Sequence, residues 1–120
     1  MFKVIVAGGR EFSDYNMLSQ KLHNILLEKD LSQVEIVSGK AKGADSLGEK
    51  WGKINGCHIA EFPAQWDKYG KSAGYKRNEE MAKYADALIA FWDGESRGTK
   101  HMIDLAKRYE LKIRVIMYED

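Results

Sequence analysis

Arginine, serine, threonine and glycine recur in this chain just where apolar runs break off, and together they can hold a phosphate. Guanidinium grips a phosphoryl group bidentately, and glycine lets an anion approach the backbone closely. The densest such stretch is Arg77 to Met102, RNEEMAKYADALIAFWDGESRGTKHM. Its apolar run Ala87 to Phe91 has strand length, the polar turn Trp92 to Arg97 follows, and Gly98 and Thr99 then open a segment. In that segment Met102, Leu105, Ala106 and Tyr109 recur at helical spacing. A strand, a glycine-containing turn and a helix start make an anion cradle, because the first helical N–H groups lack partners and the helix dipole favours negative charge. The same stretch also reads as an ordinary strand-to-helix connection.

The candidate ligand-binding residues cluster at four places. Gly8, Gly9 and Arg10 end the first apolar run, and Ser38, Gly39, Gly43, Ala44 and Asp45 end the second. Trp66, Lys71, Arg77 and Asn78 follow the third, and Trp92, Asp93, Ser96, Gly98 and Thr99 follow the fourth. Arg77 ranks first, since early helix turns usually favour acids over Arg. Arg10 also reads as a solvated loop residue and Thr99 as a cap. Asp45 and Asp93 suit either ribose hydroxyls or capping. Trp66, Tyr69 and Trp92 suit stacking on a base, whereas Trp51, spaced with Leu47 and Ile54, reads as core. No GxGxxG or Walker pattern is present, and Ser38 stands where a dinucleotide site carries an acid. His23, His58 and His101 are scattered and Cys57 is the single cysteine, so no metal cluster and no cofactor are expected.

These residues need a scaffold, and the pattern supplies one. Apolar strands are expected at Phe2 to Ala7, Val34 to Val37, Cys57 to Phe62, Ala87 to Phe91 and Leu111 to Tyr118. Helices are expected from Ser13 or Asp14 to near Asp30, from Ala44 to Asn55, after Ser72, and from Gly98 to about Glu110. Ala64 to Lys71 reads as the longest irregular piece. The last strand alternates Leu111, Ile113, Val115 and Met117 with Lys112 and Arg114, as an edge strand with one wet face does. This βαβαβαβαβ order predicts an α/β domain, a five-stranded mainly parallel sheet with helices on both faces. Ligands of such sheets bind beyond the carboxyl ends of the strands. The largest pocket is therefore expected there, lined by Gly9, Gly39, Arg77 and Gly98.

Composition bounds the rest. With 120 residues, 44% hydrophobic and 31% charged, the chain reads as a single domain over residues 1–120 with one core. No apolar run approaches a membrane span, and one cysteine fits a reducing, cytoplasmic setting. The net charge of +1 argues against a nucleic-acid partner. Exposed apolar helix faces leave homo-oligomer formation open.

The segments VAGGREFSD, VSGKAKGADSLGEKW, EFPAQWDKYGKSAGYKRNEEM and ADALIAFWDGESRGTKHMI together resemble the YspA-like branch of the SLOG superfamily. That superfamily is named for the DNA-processing DprA proteins and the Lonely-guy phosphoribohydrolases. The likeness runs through essentially the whole chain and rests on GGR, SGxAxGAD, GxxRN and WDGxSxGT. It implies a Rossmann-like fold that binds a nucleotide-derived small molecule, a nucleoside phosphate or ADP-ribose-like ligand, as a sensor or binding module. Arg77 and Met81 fit the enzymes' arginine and methionine, but their PGGxGTxxE motif survives only in Gly98 and Thr99. Met102 stands where the catalytic glutamate would be, and methionine does not stabilise an oxocarbenium-like state. A phosphoribohydrolase would have to use Arg77 with Asp93 or Glu95. Single-stranded nucleic-acid binding of the DprA kind, through Lys68, Lys71, Lys76, Arg77, Trp66 and Tyr69, is a third reading.

Overall fold

A computed structural model describes residues 1–119. Five strands, β1 (Phe2–Gly8), β2 (Val34–Ser38), β3 (His58–Glu61), β4 (Ala87–Trp92) and β5 (Lys112–Met117), form one sheet in the order β3-β2-β1-β4-β5. Every pairing is parallel. The helices are α1 (Tyr15–Ile25), α2 (Ala44–Ile54), the single turn α3 (Trp66–Tyr69), α4 (Ala73–Tyr84) and α5 (Arg97–Arg108). No helix is long and apolar enough to cross a membrane.

The apolar runs of β1, β2 and β4 are continuous because both sheet faces are covered, and alternate residues feed two cores. Val4, Val6, Ile36, Ile89 and Phe91 pack with Leu18 and Leu22 of α1 and Trp51 of α2. Ile5, Ala7, Val37, Leu88 and Ala90 pack with Met81 of α4 and with Met102, Ile103, Leu105 and Ala106 of α5. Trp51 is fully buried, as its spacing predicts. The Asp14 side chain caps α1 by accepting from the Met17 N–H at 3.0 Å.

Four expectations need correction. First, α1 ends at Ile25 rather than near Asp30, and Asp30 instead caps a short 3-10 turn, Leu31–Gln33. Second, Ile54 is 65% exposed, because Trp51 and Gly52 take the sheet-facing side of the last turn of α2, Gly52 against Ile36 and Ile59. Third, the stretch expected to be irregular holds α3 and a 3-10 turn, Gly70–Ser72. Finally, β5 is an edge strand, but both of its faces contribute to the core. Leu111 and Ile113 pack on the α4–α5 side, Ile116 and Tyr118 on the α1 side, while Val115 and Met117 are exposed.

The sheet order reverses direction between β1 and β4. That point, beyond the strand carboxyl ends, is where an open α/β sheet leaves room for a ligand.

Candidate functional site

At the β1/β4 switch point the turns leave a cleft of about 250 Å³. Its walls are Gly8 and Arg10 after β1, Ala41 and Asp45 at the start of α2, Arg77 and Asn78 of α4, and Ser96, Gly98 and Thr99 at the start of α5. Ala7, Met81 and Met102 make an apolar floor. A second chamber of about 480 Å³ shares Arg10, Ala41 and Arg77 with the first and continues to Gly39, Lys42 and Trp66. A larger depression, about 670 Å³, lies beside Phe12, Asp14 and Tyr118, so the expected pocket is present without being the largest.

Arg77 is half-buried between the two chambers. Its Nη1 donates to the Gly39 carbonyl, and its Nε donates to Asn78 Oδ1 at 2.9 Å. Burial pulls its pKa below the ordinary arginine value, Asp45 opposes that, and Arg10 adds to it. Asn78 is buried, and its Nδ2 lies 3.5 Å from the Gly98 carbonyl and 3.1 Å from His101 Nδ1. Adjacent residues Arg77 and Asn78 thereby tie α4 to the β2–α2 loop and to the start of α5.

Asp45 is 5% exposed and lies in the first turn of α2. Its Oδ2 accepts from the Ala41 N–H at 3.4 Å. Burial pushes its carboxyl up to about 6, against the pull of Arg77 and of the Ala41 and Gly39 N–H groups. Gly39 sits between the two side chains: a methyl group there would stand 2.8 Å from both Arg77 Nη1 and Asp45 Oδ2. Among the described residues Asp45 is the single carboxyl lining the inner cleft.

The start of α5 forms the opposite wall. The Ser96 Oγ caps it, accepting from the Thr99 N–H at 3.4 Å and meeting Thr99 Oγ1 at 3.1 Å. Gly98 lies one residue into the helix, among the N–H groups a helix leaves without internal partners. A methyl group on Gly98 would meet no protein atom within 4 Å.

Several candidates sit outside this lining. Gly9 faces away, toward the Tyr118 hydroxyl, and its carbonyl accepts from the Phe12 and Ala44 N–H groups at 3.2 and 3.3 Å. Gly43, at φ +79°, brings α2 against that same carbonyl. The N–H of Ala44 is thus occupied. The buried Ser38 hydroxyl donates to Glu49 Oε2 at 2.6 Å and accepts from the Lys40 N–H at 3.1 Å. Trp92 donates its indole N–H to the Ser96 carbonyl at 3.1 Å. Asp93 accepts from the Glu95 and Ser96 N–H groups at 2.9 and 2.8 Å, which hold its carboxyl below the usual range. Glu95 and Lys71 are exposed and line neither chamber.

The model of the YspA, cpYpsA-related SLOG family matches residues 2–69, more than half of the chain. This chain belongs to that family. It is 32% identical over 114 residues, 90% of either chain, to the gene 61 protein of Mycobacterium phage D29. Its fold is similar to that of DNA processing protein A from Streptococcus pneumoniae, with a TM-score of 0.75, 19% identity and 99% of this chain covered. It is also similar to DNA processing protein A from Helicobacter pylori, described for its single-stranded DNA binding mode, with a TM-score of 0.65, 20% identity and 95% of this chain covered. The SLOG chain spans 51% and 64% of those two proteins, and at such identities the likeness is one of fold.

Within this SLOG fold, sequence reasoning overlooked the group that fixes the β2–α2 loop. Glu49 is buried, holds the Ser38 hydroxyl, and accepts from Lys40 Nζ at 3.1 Å. Lys40 also reaches Glu61 at 2.9 Å, and these two carboxylates raise its pKa, Glu61 foremost. The left-handed backbone of Lys40, at φ +62°, turns it toward them. One signal was available: a glutamate one helical turn beyond Asp45, on the buried side of α2.

Proposed function

We propose that the inner cleft binds the phosphoryl end of a nucleotide-derived small molecule, a nucleoside phosphate or an ADP-ribose-like compound. In this reading the chain is a cytoplasmic binding module or sensor. The observation that supports it is a surplus of cation. Arg10 and Arg77 both line one cleft at the start of α5, and among the described residues neither has an ion-pair partner within 4 Å. Among the described residues Asp45 is the one carboxyl of the lining, and against two guanidiniums it leaves a positive excess even when ionised. A phosphoryl group would accept from the guanidiniums and the N–H groups of α5 at once. Turnover is less well supported. Asp93 is committed to its turn, Glu95 lies outside the lining, and Met102 forms the floor. The protein is expected to release no free base from nucleoside monophosphates.

Calorimetric titration with AMP, ADP and ADP-ribose tests the reading. Arg77→Ala should weaken binding by one to two decades, since a hydrogen bond to a charged group contributes about 1.5–3 kcal/mol. Arg77→Lys should recover part, because a point charge replaces a planar fork. Unchanged affinity in Arg77→Ala would place the anion elsewhere.

A second reading, single-stranded DNA binding, is supported by the exposed Trp66, Lys68 and Lys76 around the half-buried Tyr69, together with the fold shared with DNA processing protein A. A net charge of +1 does not exclude it, because local cations matter here and Lys68 and Lys76 both stand over the Tyr69 ring. Steeply salt-dependent binding of an oligonucleotide, stronger than that of any mononucleotide, would favour it.

A further inference from the structure

The inner cleft alone is smaller than a typical ligand pocket, whereas the two chambers together fall within the usual range of about 300–1,000 Å³. They meet at Arg10, Ala41 and Arg77. The outer chamber is also lined by Trp66, which is 51% exposed. A methyl group on Gly74 of α4 would lie 3.5 Å from Trp66 Cη2 and 3.7 Å from Arg77 Nη2. The indole tip of α3 and the guanidinium of α4 therefore both lie against Gly74, and Trp66 lines the chamber. Among the described residues no ring or cation stacks on Trp66, whereas the neighbouring Tyr69 carries Lys68 and Lys76 at 5.1 and 4.8 Å. Lys40, in the same chamber, is paired with Glu49 and Glu61, which leaves Lys42 as the free lysine of the lining.

We infer that the outer chamber is a nucleobase subsite, in which Trp66 stacks on the base of a nucleotide whose phosphoryl end passes between Arg10 and Arg77 into the inner cleft. The aromatic face sets the direction, since it is found in the outer chamber and not in the lining of the inner cleft. The inner cleft offers helix-start N–H groups, hydroxyls and guanidinium, which suit a phosphoryl group. The outer chamber offers an unpaired aromatic face, which suits any base because every base has a π-face. The ligand class is thus a small nucleotide bound base outward. This inference rests on the phosphoryl reading of the inner cleft and adds the recognition of the base to it.

The test is calorimetry on the wild type, Trp66→Ala and Trp66→Phe, with ribose 5-phosphate, AMP and an eight-nucleotide oligo(dT) as probes, after circular dichroism confirms that each variant is folded. Wild type should bind AMP on the order of tenfold more tightly than ribose 5-phosphate. Trp66→Ala should erase that advantage and leave ribose 5-phosphate affinity unchanged, and Trp66→Phe should keep most of it. An AMP-to-ribose 5-phosphate ratio unaltered in Trp66→Ala overturns the base subsite while leaving the phosphoryl reading intact. Dependence on Trp66 for oligo(dT) alone also overturns it, in favour of a strand-binding surface. Failure of both small probes to bind the wild type overturns the phosphoryl reading and the subsite with it.

Discussion

Two glycine-bearing turns face each other across the β1/β4 switch point, and they use their glycines differently. In the β2–α2 turn, the space a side chain on Gly43 would occupy is filled by the Gly9 and Arg10 carbonyls, the latter at 2.7 Å, and φ is +79°. At the β4–α5 turn, the space beside Gly98 is empty to 4 Å and the backbone is ordinary helix. Gly43 is required by the fold. Gly98 has no such requirement, and it lines the cleft. The contrast separates a loop whose glycine is fixed by its neighbours from one whose glycine leaves open space.

The largest effect should come from the filled side. Gly43→Ala forces a Cβ into a left-handed backbone and against a carbonyl, at a cost of about 3 kcal/mol or more. Chemical denaturation should show a midpoint far below that of the wild type. A near-native midpoint would mean that the two loops can separate, and the comparison would lose its first half.

Asp45 sharpens the comparison through pH. Its carboxyl is pushed up to about 6 in the fold, against about 3.9 in an unfolded chain. Between those values the folded state binds the proton that the unfolded state has released. Stability from this group therefore falls as pH rises from about 4 to about 6 and is level above that. The cost of the buried charge at pH 8 is on the order of 3 kcal/mol, so Asp45→Asn should be more stable than the wild type there and nearly equal at pH 4. A bound anion disfavours the carboxylate further, so anion affinity should fall as pH rises through about 6 in the wild type and stay flat in Asp45→Asn. Sulfate suits this measurement because its own charge does not change over that range. Equal pH slopes in the two proteins would remove Asp45 from the site's electrostatics.

Much of the scaffold was legible in the sequence. Continuous apolar runs marked β1, β2 and β4 because strands covered on both faces need no alternation, and period-3.6 spacing marked the core face of α5. The turn α3 was missed because four residues, WDKY, carry no periodicity to read. In the site, Arg77, Asn78, Ser96, Gly98 and Thr99 were legible as residue types at strand ends, and they do line one cleft. The direction in which a loop atom points was not legible. Gly9 and Gly98 look alike in a string of letters, yet one faces the Tyr118 hydroxyl and the other faces open space. Ser38 and Asp93 have the chemistry of ligand contacts, but Glu49 and two backbone N–H groups occupy them. Burial of Glu49 was hidden for a related reason: its partners come from β2 and the loop after it, and contacts between segments leave no local pattern.

The most direct measurement is nucleotide binding by Gly98→Val beside its thermal stability. No atom beyond its chain neighbours and its own helix backbone lies within 4 Å of the added Cβ, and valine is no worse a helix former than glycine, so the melting temperature should stay within a few degrees of the wild type. The branched side chain would occupy the approach to the start of α5, and AMP binding should be lost. Loss of binding with the fold intact is the predicted result. Full-strength AMP binding by a folded Gly98→Val protein would contradict the account, because nothing would then occupy the space that Gly98 leaves.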